Sequence, residues 1–460
     1  MNRFLVATNR KFRQLPPAAT LVGGFVLAIL AGAGFLLLPA ATVSGSLSFM
    51  DALFTATSAV CVTGLIVVDT GGYYTLFGQI VILVLIQIGG LGVMTVSVTI
   101  FRLVGASVSL RQRLAIQDIF AHTPRRDIFQ LVKTIFLFTA LAELSGAVLL
   151  FLIWRVDYPW PRAAYLAVFH SISAFCNAGF SLFAGSLMDY RGHLLLNGVV
   201  CALIVLGGLG FPVLHDLFSQ ARVRGNHRRK LTVQTKTVLL TTAVLISGGA
   251  TLFWYLERPN TLGGASPLDS VLVSVFQAVT CRTAGFNTVD TSLLRDPTLA
   301  LMIFLMFIGA SPGSCGGGVK TTTLALLGAL VWSRLRHKVG LNLFYRSIPQ
   351  DTVSRSLALV LISLGLIGLV AFLVLMDSPA NPSTAGDQRR FLACLFETFS
   401  AFGTVGLSMG ATPALTAWGK FWIILMMLTG RVGVLTFAYL LTGTGRRNGL
   451  EYAEENLMIG

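Results

Sequence analysis

FTATSAVCVTGL, residues 54–65, is the stretch whose reading decides the fold. It recurs as FHSISAFCNAGF at 169–180, FQAVTCRTAGF at 276–286 and FETFSAFGTVGL at 396–407. Each copy opens on Phe and closes on Gly followed by Leu or Phe. Ten residues separate the Phe from the Gly in three copies and nine in the third. The closing glycines Gly64, Gly179, Gly285 and Gly406 stand 115, 106 and 121 residues apart. Self-similarity at a long, nearly fixed period is an architectural signal, and unrelated glycine turns would not share it.

On either side of each copy the chain is apolar. Residues 15–38 and 73–101 carry no charge, and each run is long enough to cross roughly 30 Å of hydrocarbon. Composition agrees: 54% of residues are hydrophobic and 12% charged, about half the charged share of a soluble domain. The pattern predicts outgoing helices near 17–39, 130–154, 233–256 and 355–376, and returning helices near 74–102, 192–218, 297–333 and 416–441. The segments between them, about ten residues long, are too short to span and fit re-entrant half-helices. The expected fold is an all-α membrane protein forming a single transmembrane domain over 1–460. It has four helix–pore helix–helix repeats, near 15–110, 125–220, 230–335 and 350–445.

The net charge of +15 would suit a nucleic-acid surface if it were spread over one face. Instead 23 of the 34 Lys and Arg fall at 3–13, 102–133, 222–236, 334–355 and 446–447, alternating with basic-poor loops. Such alternation marks the cytoplasmic side. It implies an even number of spans, both termini cytoplasmic, a plasma-membrane location and no nucleic-acid partner. The basic start runs into a full-length apolar stretch, so 1–38 reads as a first span rather than a signal peptide. The six cysteines form no CxxC pair and lie mostly in apolar surroundings, which argues against a disulfide framework or a zinc site.

Non-helical backbone at membrane depth is tolerated only where protein or water surrounds it. Four segments meet that condition together if they converge on one axis, where backbone carbonyls replace the hydration shell of a cation. The expected filter residues are Val62, Thr63 and Gly64; Asn177, Ala178 and Gly179; Thr283, Ala284 and Gly285; and Thr404, Val405 and Gly406. A glycine in each permits positive φ, and no ring of carboxylates is present to suggest a divalent filter. The C-terminal ends of the half-helices would add partial negative charge. SPLD at 266–269 reads as a start signal, with Ser capping, Pro at the first helical position and Asp in the first turn. Asp51 has the same role in the first copy.

The third returning helix is interrupted by Gly309, Ala310, Ser311, Pro312, Gly313, Ser314, Cys315, Gly316, Gly317 and Gly318. Five glycines and a proline in ten residues break a helix, and the freed backbone belongs against the pore. The run is therefore expected to block the path below the filter and to withdraw on opening. It ends in GVKT, but the spacing of a phosphate-binding loop fails because Val319 precedes Lys320. Arg431 lies deep in the last helix, where a charge needs a partner or water. It is expected to donate to loop carbonyls and to raise a barrier to cations. Arg282 reads as a scaffold residue bonded to backbone, Glu143 and Glu397 as buried groups that pair with an Arg or tune ion entry, and His170 as a satisfied core histidine.

Taken with FIGASPGSCGGGVKTTT at 307–323 and TGRVGVLTF at 429–437, the four segments resemble the Trk/Ktr/HKT superfamily of potassium transporters. The likeness covers nearly the whole chain. A single outgoing helix precedes the first segment, which is similar to the shorter Ktr-type membrane subunit rather than the longer Trk type. The resemblance implies pseudo-fourfold symmetry around one pore, with potassium as substrate and sodium as a stimulant. It also implies a homodimer in the lipid bilayer gated by a cytoplasmic KtrA-like nucleotide-binding ring, and it places an Arg at position 431 beside the intramembrane loop. Gly64 favours potassium, since plant relatives with Ser at that position favour sodium. Cys281 departs from the expected small residue and would make the third segment thiol-sensitive. A secondary transporter coupling potassium to sodium or protons is the alternative, because broken helices and repeats occur there too. No catalytic motif is found, so no enzyme is expected, and the chain needs no cofactor of its own.

Overall fold

The computed structural model of the chain describes residues 17–92, 128–222, 231–337, 340–377, 384–434 and 436–437. The basic clusters at 3–13 and 446–447, most of those at 102–133 and 222–236, and both chain ends lie outside the described residues.

Four times the chain lays down an outgoing helix, a shorter inner helix and a returning helix. The first set is α1 (Pro17–Leu36), α2 (Phe49–Val60) and α3 (Leu76–Leu91); the second is α4 (Ile128–Trp154), α5 (Trp160–Phe175) and α6 (Leu194–Leu209). Helix α7 (Phe211–Arg222) follows α6. The third set is α8 (Val233–Glu257), α9 (Pro267–Thr280) and α10 (Asp296–Phe307), with α11 (Thr321–Leu335) after a break. The fourth is α12 (Gln350–Asp377), α13 (Thr384–Gly403) and α14 (Ala417–Val432). A two-stranded hairpin, Asn342–Leu343 with Arg346–Ser347, joins α11 to α12. The four outgoing helices are long and apolar enough to cross a membrane. They leave Leu27, Leu30, Leu137, Leu141, Leu240, Leu361 and Phe372 exposed, as suits a lipid-facing surface.

Local chemistry sets the helix starts. Ser48 accepts from Asp51 N–H at 3.1 Å and donates to its carboxylate at 2.7 Å, closing the first turn of α2. Ser266 caps α9 ahead of Pro267 and Asp269. The inner helices run 12, 16, 14 and 20 residues, longer than the expected ten, because each begins several residues before its Phe.

The returning helices depart further from expectation. Only the third was expected to break, yet the first, second and fourth also stop, at Gly92, Gly210 and Gly433, with φ of 83°, 86° and 96°. Glycine takes up positive φ at little steric cost, so the chain can leave the helix at these points. After Gly210 the chain turns by 98° into α7. The continuations expected at 93–102 and 438–441 lie outside the described residues.

Packing follows one rule. Each outgoing helix packs on its own inner helix. Each returning helix packs on the inner helix of the next repeat: α3 on α5, α6 on α9, α10 on α13 and α14 on α2. The last contact closes the sequence into a ring, and Lys420 on α14 pairs with Asp51 on α2 at 2.7 Å. Close approach needs small residues. A Cβ on Gly89, Gly207 or Gly430 would collide with the carbonyl of Val60, Phe175 or Phe402, whereas one on Gly368 would meet nothing within 4 Å. Gly430→Ala is therefore expected to destabilise the protein by about 1–3 kcal/mol, the usual range for overpacking. Gly368→Ala should be neutral or stabilising, by up to about 1 kcal/mol. Thermal unfolding in detergent checks both; equal midpoints for the two variants would contradict this packing.

Candidate pore and gate

Beyond each inner helix the backbone bends in the same way. Val62, Asn177, Thr283 and Thr404 have φ of 57°, 60°, 74° and 49°. Two residues on, Gly64, Gly179, Gly285 and Gly406 have φ of 91°, 70°, 80° and 91°. Thr63, Ala178, Ala284 and Val405 between them do not share that sign. Positive φ is natural for Gly but strained for β-branched Val and Thr, by about 1–3 kcal/mol each. Strain of that size persists only where the surroundings over-determine it.

They do so through one residue per repeat. Ser58, Ser173, Thr280 and Ser400 each stand four places after the opening Phe. Their carbonyls accept from Thr63 N–H (2.8 Å), Ala178 N–H (2.7 Å), Ala284 N–H (3.0 Å) and Val405 N–H (2.9 Å). Their hydroxyls bind the same segments again. Ser58 accepts from Gly64 N–H at 3.0 Å and Ser400 from Gly406 N–H at 3.1 Å. Ser173 donates to Phe180 O at 2.8 Å and Thr280 to Phe286 O at 2.6 Å. In a trans peptide the carbonyl points opposite to the following N–H. With those N–H groups turned back to the inner helices, the carbonyls of Val62, Asn177, Thr283 and Thr404 face away from them.

The four segments touch in order. A Cβ on Gly64 would collide with Ala178 O, and one on Gly179 would lie 2.7 Å from Ala284 O. One on Gly285 would collide with Val405 O, and one on Gly406 with Thr63 O. The fourth segment thus returns to the first. All twelve residues expected from the sequence lie in this cluster, and all are buried except Gly179 and Gly406, which are half-buried. The Asn177 amide and the Thr283 hydroxyl, 3.1 Å apart, link the second and third segments.

Across the helix-facing end lies the 308–320 loop. Gly316 abuts the Thr283 side chain, and Gly317 N–H donates to Thr404 Oγ1 at 2.9 Å. Ser311 and Cys315 N–H donate to Gly208 O and Gly207 O at 3.1 and 3.2 Å, and Phe211 N–H donates to Gly313 O at 3.0 Å. Gly318 N–H donates to Gly430 O at 3.3 Å. Arg431 donates to Cys315 O and to Gly89 O, bridging the loop to α3. Lys320 folds back to donate to Gly316 O at 2.7 Å. Two basic side chains, both half-buried, therefore stand within one layer below the segments.

Several sequence expectations change. Among the described residues Glu143 has no arginine partner; Gln87 donates to both its oxygens, at 3.1 and 3.2 Å. Glu397 is bound by hydroxyls and a backbone N–H instead. The guanidinium of Arg282 makes no hydrogen bond to backbone among the described residues, and its buried Nε has no partner. It faces a small cavity between α6 and α8 with Thr242. Cys281 caps α9 in a fully packed position, at 1% exposure, so it offers no accessible thiol. The four hydroxyls at the Phe-plus-four position were not singled out, although their recurrence in every copy could have revealed them.

The chain is similar to known proteins over nearly its whole length. The family described as "TrkH: Cation transport protein" matches residues 36–442. The chain is 40% identical to the Ktr system potassium uptake protein B of Vibrio alginolyticus over 95% of this chain and 93% of that one. Its counterpart in Bacillus subtilis (strain 168) is also 40% identical, over 98% of both chains. The potassium/sodium uptake protein NtpJ of Enterococcus hirae is 38% identical over 99% of this chain and 100% of that one. Among solved structures, the potassium transporter TrkH from Vibrio parahaemolyticus superposes with a TM-score of 0.71 at 21% identity, over 93% of this chain and 85% of that one. Repeats, ring of contacts and full-length likeness agree: this chain belongs to the TrkH family of cation transport proteins.

Proposed function

We propose that the chain takes up potassium through a gated, channel-like pore whose selectivity filter is the backbone of the four glycine-closed segments. The observation that carries this reading is the cyclic contact of Gly64, Gly179, Gly285 and Gly406, each against the next segment's backbone. Carbonyls turned away from four inner helices converge on the enclosed axis and stand in for water around a dehydrated cation. The C-terminal ends of the same helices add partial negative charge. Potassium as the substrate is supported by the names of the relatives, and Gly64 fits it. One relative is named for both potassium and sodium, which keeps sodium stimulation in the proposal.

The 308–320 loop and Arg431 form the gate in this reading. The loop lies across the path below Thr283 and Thr404, and the cationic layer of Arg431 and Lys320 opposes a passing cation. Opening requires the loop to leave Arg431. The chain works as a homodimer in the plasma membrane with both termini cytoplasmic, and a KtrA-like nucleotide-binding ring drives the gate. The ring's attachment draws support from relatives named as parts of a Ktr system.

Uptake of rubidium by the purified protein in liposomes tests the pore, and single-channel recording separates it from coupled transport. Discrete current steps support a pore; a fixed stoichiometry with sodium or protons would establish the alternative. Gly64→Ala places a side chain at positive φ against Ala178, so uptake is expected to fall by about tenfold or more. Thr280→Val leaves the buried Phe286 carbonyl without its donor and should lower stability by about 1–3 kcal/mol, read as a reduced unfolding midpoint. Arg431→Ala frees the loop from two bonds and a charge. Uptake without the ring should rise about tenfold, and unchanged flux and regulation would remove Arg431 from the gate.

A further inference from the structure

Each repeat carries a polar residue directly after its opening Phe: Thr55, His170, Gln277 and Glu397. All four are buried. In three repeats this side chain reaches the two or three residues just past the closing glycine, on the side away from the loop. His170 Nδ1 lies 2.8 Å from Leu166 O, which can only accept, so Nδ1 carries the proton. Nε2 is then free to accept from the Ser181 hydroxyl at 3.0 Å and Leu182 N–H at 3.4 Å. Gln277 Nε2 donates to Thr288 Oγ1 at 3.4 Å. Glu397 accepts from Ser408 Oγ at 2.5 Å, Thr412 Oγ1 at 2.7 Å and Met409 N–H at 3.1 Å. Thr55 is too short to reach its segment and bonds instead to the Tyr74 hydroxyl at 3.1 Å.

The four attachments are unequal. Glu397 accepts three hydrogen bonds on its two oxygens, whereas Gln277 makes one long bond. Glu397 has no cation beside it among the described residues. Burying a carboxylate without a counter-charge is expensive, and an apolar side chain would fill the same space at lower cost. What the carboxylate adds is the placement of Ser408 and Met409, the second and third residues beyond Gly406, and of Thr412 behind them.

Resting on the reading of these segments as a filter, we infer that His170, Gln277 and Glu397 are positioning residues that hold the far limb of their filter segments, and that Glu397 sets how strongly the pore prefers potassium to sodium. None of the three touches the enclosed axis. They act by keeping the backbone oxygens from closing around a smaller ion. The fourth segment, held at three points, is the reference against which the looser third segment adjusts.

Glu257 supplies an internal control. It is also a buried carboxylate held by neutral donors: Thr298 Oγ1 at 2.5 Å, Asn260 Nδ2 at 2.8 Å, Thr261 Oγ1 at 2.9 Å and Arg295 N–H at 3.0 Å. It fixes a turn between α8 and α10 and touches none of the four segments. The test compares rubidium and sodium uptake by the full-length protein in liposomes for wild type, Glu397→Gln, Ser408→Ala and Glu257→Gln. A loss of stability lowers both rates together, while a change in filter geometry moves their ratio. The rubidium-to-sodium ratio should fall by about tenfold in Glu397→Gln and roughly threefold in Ser408→Ala, and stay at the wild-type value in Glu257→Gln. If Glu397→Gln does not fold, Ser408→Ala decides alone. An unchanged ratio in Ser408→Ala, or an equal fall in Glu257→Gln, overturns the inference. A wild-type protein with no rubidium preference would be a separate failure, that of the filter itself.

Discussion

Four stretches of buried backbone leave the helical state beyond their inner helices, and every polar group they carry must still be satisfied. That constraint governs the rest of the structure. Lipid offers no donors or acceptors, so each segment must be held by the helix it has just left. Ser58, Ser173, Thr280 and Ser400 do this with the carbonyl and the hydroxyl of a single residue. Because the N–H groups are drawn back, the carbonyls are turned outward from the helix as a geometric consequence. The solution to the satisfaction problem and the arrangement of oxygens are one feature.

The same holding explains the strain. A β-branched residue at positive φ would relax if its neighbours allowed it. Val62, Thr283 and Thr404 are fixed on one side by the helix end and on the other by the glycine two places on. That glycine is itself pressed against the next repeat. Each segment therefore stabilises its neighbour's conformation, and the ring of returning helices on inner helices keeps the four in register. A protein interior packed this tightly behaves as a rigid unit.

Much of this was legible in the sequence, because the periodic signals were strong. The outgoing helices at Pro17–Leu36, Ile128–Trp154, Val233–Glu257 and Gln350–Asp377 match the apolar runs closely. The closing glycines, SPLD at 266–269 and the 309–318 break were read from local chemistry. The missed features were those whose cause is tertiary. Gly92, Gly210 and Gly433 end their helices, yet glycine is common in membrane helices, so each alone is a weak signal. Aligning the repeats strengthens it: IGGLG at 88–92, LGGLG at 206–210 and TGRVG at 429–433 share two glycines at the same spacing. The partner of Glu143, Gln87, comes from another repeat, and those of Glu397 lie 11 to 15 residues on, brought back by the bend of the segment between them.

That alignment also shows where the repeats stop being equivalent. In TGRVG the central glycine of the other two stretches is replaced by Arg431, and in the third repeat the whole stretch becomes the 308–320 loop. Glycine at this position in the first and second repeats keeps the layer open to a neighbour: Gly90 accommodates Cys176, and Gly208 receives Ser311 of the loop. Arginine at the same position in the fourth repeat reaches across to Cys315 O and Gly89 O. The layer is thus divided into a receiver, a loop and a fastener. A tetramer of identical chains could not make that division, since any change would appear four times around the axis. Covalent fusion of the repeats permits a single arginine and a single loop, and the asymmetry lies one layer below a ring of segments that remains nearly uniform.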